Sequence, residues 1–171
     1  MSNAGDVDAQ GRFVWPQRTT SGTNFYVLDN VAEMVGFADP GDAADRSQIT
    51  PVVTGTGATA DVAALRVNLG SGERSYAMGV DSHVHKLRIF DYENPARTWT
   101  INLFNEDDSP AQFVNGGFGA AWSHEDRFYF ASNKGEGVYE VIIPTIDLNT
   151  KTATIRRVAN SQATSINDGT T

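Results

Sequence analysis

Cysteine is absent from the 171 residues. Its absence excludes disulfide scaffolds, thiolate zinc sites and cysteine nucleophiles together, but does not fix a compartment. Positive charge is scarce, with 13 Lys and Arg against 21 Asp and Glu and a net charge of −8. Such a chain repels phosphate backbones, and the adjacent pair Arg156-Arg157 would point to opposite faces of a strand, so no nucleic-acid partner is expected. Long apolar runs are missing too. With no stretch of about 18 apolar residues, no membrane span is expected. No secretory leader is legible, and Met1-Ser2-Asn3-Ala4 reads as an initiator methionine with a cloning remnant, which leaves 5–171 as the folding unit. Helix signals are nearly absent: only Asn30 to Phe37 has helical composition, and Gly36 with Asp39-Pro40-Gly41 ends it. There is no G-x-S-x-G elbow and no Gly-rich phosphate loop leading from a strand into a helix.

What remains is strand. Hydrophobic residues make up 40% of the chain, enough for the core of one domain or three small repeats. Phe25-Tyr26-Val27-Leu28 is aromatic and branched. Leu65, Val67 and Leu69 alternate with Arg66 and Asn68, and Trp99, Ile101 and Leu103 alternate with Thr100 and Asn102. Leu87-Arg88-Ile89, Phe128-Tyr129-Phe130 and Val138-Tyr139-Glu140-Val141 follow the same style, with Glu140 expected to face solvent. Phe25, Tyr76, Phe128, Phe130 and Tyr139 are the expected core, and Trp99 is expected to pack between units. Turn clusters separate these runs at Gly70-Ser71-Gly72, Glu93-Asn94-Pro95, Asn115-Gly116-Gly117, Lys134 to Gly137 and Asp147 to Thr150. About ten short strands punctuated in this way predict an all-β protein.

An internal repeat sharpens the prediction. Segments beginning at Thr23, Ser75 and Arg127 lie 52 residues apart. In each, an apolar strand ends in Asx, at Asp29, Asp81 and Asn133. A polar turn and a second strand follow, ending near Phe37, Phe90 and Ile142. The Asx side chain can hold the turn by accepting downstream amides. Small-residue strands precede two of the hairpins, at Asp61 to Leu65 and Phe118 to Trp122. Polar alternating segments follow, Thr98 to Leu103 and Thr152 to Val158, and suit outer edge strands.

Four antiparallel strands recurring in this way predict propeller-like blades, about three of them, with a β-sandwich or jelly roll as the alternative. Gly117 to Val158 is the best-defined unit. Its Phe118-Gly119-Ala120-Ala121-Trp122, Ser132-Asn133 turn and Val138-Tyr139-Glu140-Val141, closing with Asn167-Asp168-Gly169, resemble repeats of a propeller-like family of surface and secreted proteins. The resemblance implies fold and location, and carries no activity onto named residues. Closed propellers hold about four to eight blades, so three units imply a fragment or chains that associate, and a homo-oligomer is expected. Ser161 to Thr171 reads as the start of a further unit.

Sites are few. Asp39, Asp42 and Asp45 sit at three-residue spacing and could gather oxygens around Ca²⁺, although a solvated acidic loop is the plainer reading. Glu106-Asp107-Asp108 is a second acidic cluster of the solvent-facing kind. His83 and His85 form a His-x-His pair that would share one face if extended, with Asp81 or His124 as a third zinc ligand. Paired carboxylates for glycoside hydrolysis would have to come from Glu125, Asp126, Glu136 or Glu140. No catalytic or cofactor-binding residue is assigned. The expectation is a non-enzymatic interaction or structural module, extracellular or at a cell surface, with a protein or glycan partner. The alternative is a hydrolase acting on a glycan or ester at one face.

Overall fold

The computed structural model describes residues 6–8, 10–19, 22–28, 51–53, 61–81, 84–91, 93–94, 96–114 and 117–164. Within them the chain is all-β. The strands are β1 (Asp6–Val7), β2 (Phe13–Thr19), β3 (Gly22–Leu28), β4 (Pro51–Val53), β5 (Ala63–Asn68), β6 (Glu73–Asp81), β7 (Lys86–Asp91), β8 (Thr98–Phe104), β9 (Phe118–His124), β10 (Arg127–Ser132), β11 (Val138–Val141) and β12 (Thr152–Ala159). One 3-10 turn, Ile143–Thr145, precedes β12.

A four-stranded sheet has the order β1-β2-β3-β4. An eight-stranded sheet has the order β5-β6-β7-β8-β12-β11-β10-β9. It consists of two antiparallel meanders, β5 to β8 and β9 to β12, joined where β8 and β12 pair in parallel from Thr152 opposite Asn102 to Thr154 opposite Phe104. The sheet curls until its two edges, β5 and β9, lie alongside each other, so it is barrel-like and nearly closed.

Alternation decides what fills it. Leu65, Tyr76, Met78, Leu87, Ile89 and Ile101 point from the first meander into the interior, against Phe118, Phe128, Phe130, Val141 and Ile155 from the second. Ala64, Ala77 and Phe90 point the other way and meet Val14 and Phe25 of the four-stranded sheet, with the Phe25 and Phe90 rings 3.7 Å apart. β6 is thus buried on both faces, which is why Tyr76-Ala77-Met78 is apolar without interruption.

Phe25, Tyr76, Phe128 and Phe130 are buried as expected, while Tyr139 is half-buried against the core. The hairpins Tyr76 to Phe90 and Phe128 to Ile142 form as β6–β7 and β10–β11. The first unit differs. β3 pairs with β2 along its length and with β4 at Phe25 and Tyr26, opposite Val53 and Pro51; the expected hairpin partner is Glu33 to Phe37. Glu33 to Phe37, like the helical window from Asn30, lies outside the described residues. By sheet position the counterpart of β6 and β10 is therefore β2, one strand earlier than the 52-residue spacing suggests. The expected outer edges, β8 and β12, are not edges, because they pair with each other. Glu140 does not face solvent either. It is 6% exposed, and its carboxylate receives an Arg156 N–H at 2.6 Å across the β11–β12 pair. Of Ser161 to Thr171, the described part returns to the last meander, where Thr164 donates its amide to the Asn133 carbonyl at 2.9 Å.

Candidate functional site

A cleft of about 560 Å³ opens where the β5–β6 turn, the start of β8 and the β11–β12 connection meet. Each wall is set by local chemistry. Asn68 Oδ1 accepts the amides of Gly70 at 2.9 Å and Gly72 at 3.1 Å. This is an Asx turn, and both glycines have positive φ, 97° and 87°, that a side chain would oppose. The turn places Leu69 and Ser71 on one rim. On the opposite side Asp147 accepts the amides of Asn149 at 2.7 Å and Thr150 at 3.1 Å. These bonds favour the charged form, the one from Thr150 most, and hold the carboxyl below its ordinary 3.8. The same connection carries Ile143, Pro144, Ile146 and Leu148.

The floor holds Trp99. Its ring meets Tyr76 edge-on at 6.3 Å, and the Arg97 guanidinium lies 5.3 Å from its centroid. Arg97 is held from behind. Its Nη1 is 3.6 Å from the fully buried Asp91 carboxylate, and its Nη2 donates to Ser71 Oγ at 3.2 Å. Asp91 also receives Arg74 Nε at 2.8 Å and the amides of Glu93 and Asn94. The hydrogen bond to Asp91 is the chief reason the Arg74 guanidinium titrates above its usual range. The cleft therefore offers aliphatic and indole surface, a fixed cation over an aromatic face, and amides of Asn68 and Asn149 at the rim. Among the described residues Asp147 is the only carboxylate lining it.

The residues singled out from sequence are scattered. Asp39, Asp42, Asp45 and His83 lie outside the described residues. His85 is half-buried, with its ring edge-to-face to Phe113 at 5.7 Å and Phe118 at 6.3 Å. Phe118 begins β9 and His124 ends it, roughly 20 Å along the strand at about 3.3 Å per residue, so His85 beside Phe118 and His124 at the far end cannot share a zinc ion. Asp81 accepts the Val84 amide at 3.3 Å and pairs with Arg88 at 3.1 Å, acting as the expected turn pin. In the third unit the pin is Ser132, whose hydroxyl accepts the Lys134 amide at 3.1 Å, and not Asn133. Glu136 accepts the Val114 amide and the Ser132 hydroxyl, each at 2.7 Å. Asp107 is held below its ordinary 3.8 chiefly by the Ser109 hydroxyl. Glu125 and Asp126 form the β9–β10 turn, with Glu125 3.9 Å from the exposed His124. Among the described residues no group of three His, Asp or Glu could hold a metal ion.

Sequence reasoning noticed Trp99 but missed Arg97, two residues before it and hence on the same side of an extended chain. No family model, curated protein or solved structure matches the chain. Its chemistry is therefore read from the geometry alone.

Proposed function

We propose that this chain is a non-enzymatic interaction or structural module of a surface or secreted protein, built from three propeller-like blades. In this reading the blades are β1–β4, β5–β8 and β9–β12. Their support is the common strand order and the way the β5–β8 meander packs against the four-stranded sheet on one face and the β9–β12 meander on the other. The cleft over Trp99 is the docking place for a protein or glycan partner. A sugar ring has an apolar face for the indole and hydroxyls for the Asn68 and Asn149 amides.

One observation carries the non-enzymatic reading. Two of the four carboxylates that the sequence offered as catalysts, Glu136 and Glu140, are engaged in holding the fold by short hydrogen bonds, and Asp147, which lines the cleft, is held by its turn. A general acid or nucleophile needs to face substrate. Calcium would enter only through Asp39, Asp42 and Asp45, and a calcium-dependent rise in melting temperature would report it.

The test is a glycan array and a peptide panel read against the parent and Trp99→Ala, with chromogenic glycosides and esters assayed in parallel. Binding that is lost in Trp99→Ala, without turnover, is the expected result. Hydrolysis that follows protein concentration and survives repurification would replace this reading with the hydrolase.

A further inference from the structure

The second strand of the four-stranded sheet and of each meander is apolar at three successive positions: Phe13-Val14-Trp15 in β2, Tyr76-Ala77-Met78 in β6 and Phe128-Tyr129-Phe130 in β10. A strand that faces water on one side alternates, and an uninterrupted apolar strand is covered on both. Among the described residues the pattern is satisfied only for β6. On the four-stranded sheet Val14 faces inward. Phe13 and Trp15 lie on the other face, stacked at 5.3 Å, and the Trp15 ring stacks in turn on Tyr26 at 5.1 Å. On the last meander Phe128 and Phe130 face inward. Tyr129 lies on the other face, stacked on Trp122 at 5.5 Å beside the Glu140–Arg156 pair. All four of Phe13, Trp15, Trp122 and Tyr129 are half-buried. The stack thus ends at both sides in an aromatic ladder, and among the described residues no strand packs across either one.

We propose that a second copy of this chain covers both ladders at once: the Trp122–Tyr129 face of one copy lies on the Phe13–Trp15 face of the other, and a two-fold axis repeats the contact. The inference rests on the blade reading above and names the partner. The contact continues, between chains, the face-to-face packing that already joins the sheets within the chain, with aromatic rings meeting as Phe25 and Phe90 do. Ring closure selects the number of copies. Closed propellers hold about four to eight blades, and the three blades per copy of that reading reach the range with two copies only. Two such contacts should bury well over about 1,000 Å² together, enough for a stable dimer. Each copy carries a net charge of −8, so added salt should strengthen the association by screening repulsion.

The experiment is sedimentation velocity at micromolar concentrations on the parent, Trp122→Gln, Trp15→Gln and an equimolar mixture of the two variants. The parent should be a closed dimer, tighter at high salt. Either variant alone should dissociate at least roughly tenfold more readily. The mixture should re-form a heterodimer, because each variant keeps the face that the other lacks. Should a variant lose its cooperative melt, hydrogen exchange of the parent replaces it: protection at 13–16 and 120–130 should fall on dilution. A folded monomer overturns the proposal, as does a dimer indifferent to both substitutions. A dimer broken by only one of them overturns it too, since that contact would be isologous, and so do open filaments, since the rotation would not close. The hydrolase assay is read separately: a monomer without turnover removes the ring and leaves the interaction module standing.

Discussion

Tyr76 is fully buried, and its hydroxyl meets no hydrogen-bond partner. A buried hydroxyl without a partner costs about 1–3 kcal/mol, so Tyr76→Phe should leave the melting temperature unchanged or raise it. A drop equivalent to more than about 1 kcal/mol would show that the hydroxyl is satisfied after all. Glu125 and Asp126 both adopt positive φ, 48° and 59°, in the two-residue turn between His124 and Arg127. That conformation favours Asn-Gly. Glu125→Asn with Asp126→Gly should therefore stabilise the fold by roughly 1–2 kcal/mol, read by denaturant melts. Loss of stability would mean that the native pair makes a contact worth more than its strain. The expected aromatic core was legible at this scale because burial follows residue type. Glu140 was not, because alternation shows which face a residue occupies but not whether that face holds an arginine.

At the scale of elements, the inner strands are tied by one carboxylate. Asp6 in β1 accepts the Ala64 amide of β5 at 2.9 Å and the Ser123 hydroxyl of β9 at 3.3 Å. Ser123 also reaches the Ala64 carbonyl at 2.9 Å. Asp6→Ala strands a buried amide and should cost about 2–3 kcal/mol, with β5 and β9 exchanging hydrogen faster. Unchanged exchange there would show that the seam is held by packing alone. The β11–β12 connection depends on pH. Asp147 titrates below 3.8 in the fold because the Thr150 and Asn149 amides stabilise its charged form. Its contribution is therefore complete above about pH 4 and is lost as the pH falls through the lowered value. The stability difference between the parent and Asp147→Asn should be constant from neutral pH to about pH 5 and shrink below about pH 4. A difference that grows in acid would reverse the assignment.

At the scale of the whole molecule, protection should follow layering. β6 and β7 have strands packed on each face, whereas among the described residues the four-stranded sheet and the β9–β12 meander have one covered face each. Hydrogen exchange should leave β6 and β7 as the last segments to exchange, since opening them disrupts both cores. Earlier protection loss in β6 than in β2 or β10 would contradict the layered arrangement.

Composition and alternation by themselves determined that this chain is all-β. They also set where most hairpins turn, and that Asp81 would pin its turn by accepting a downstream amide. These are local matters, settled by which residues tolerate a turn or a pleat. Tertiary structure alone decided the rest: that β3 pairs with Pro51–Val53, that β8 and β12 join in parallel, and that His85 and His124 lie at opposite ends of β9. Only it could bring Arg97, Trp99, Leu69 and Asn149 around one cleft. Strand pairing joins residues far apart in the chain, and a period of two carries no information about which edge a strand will meet.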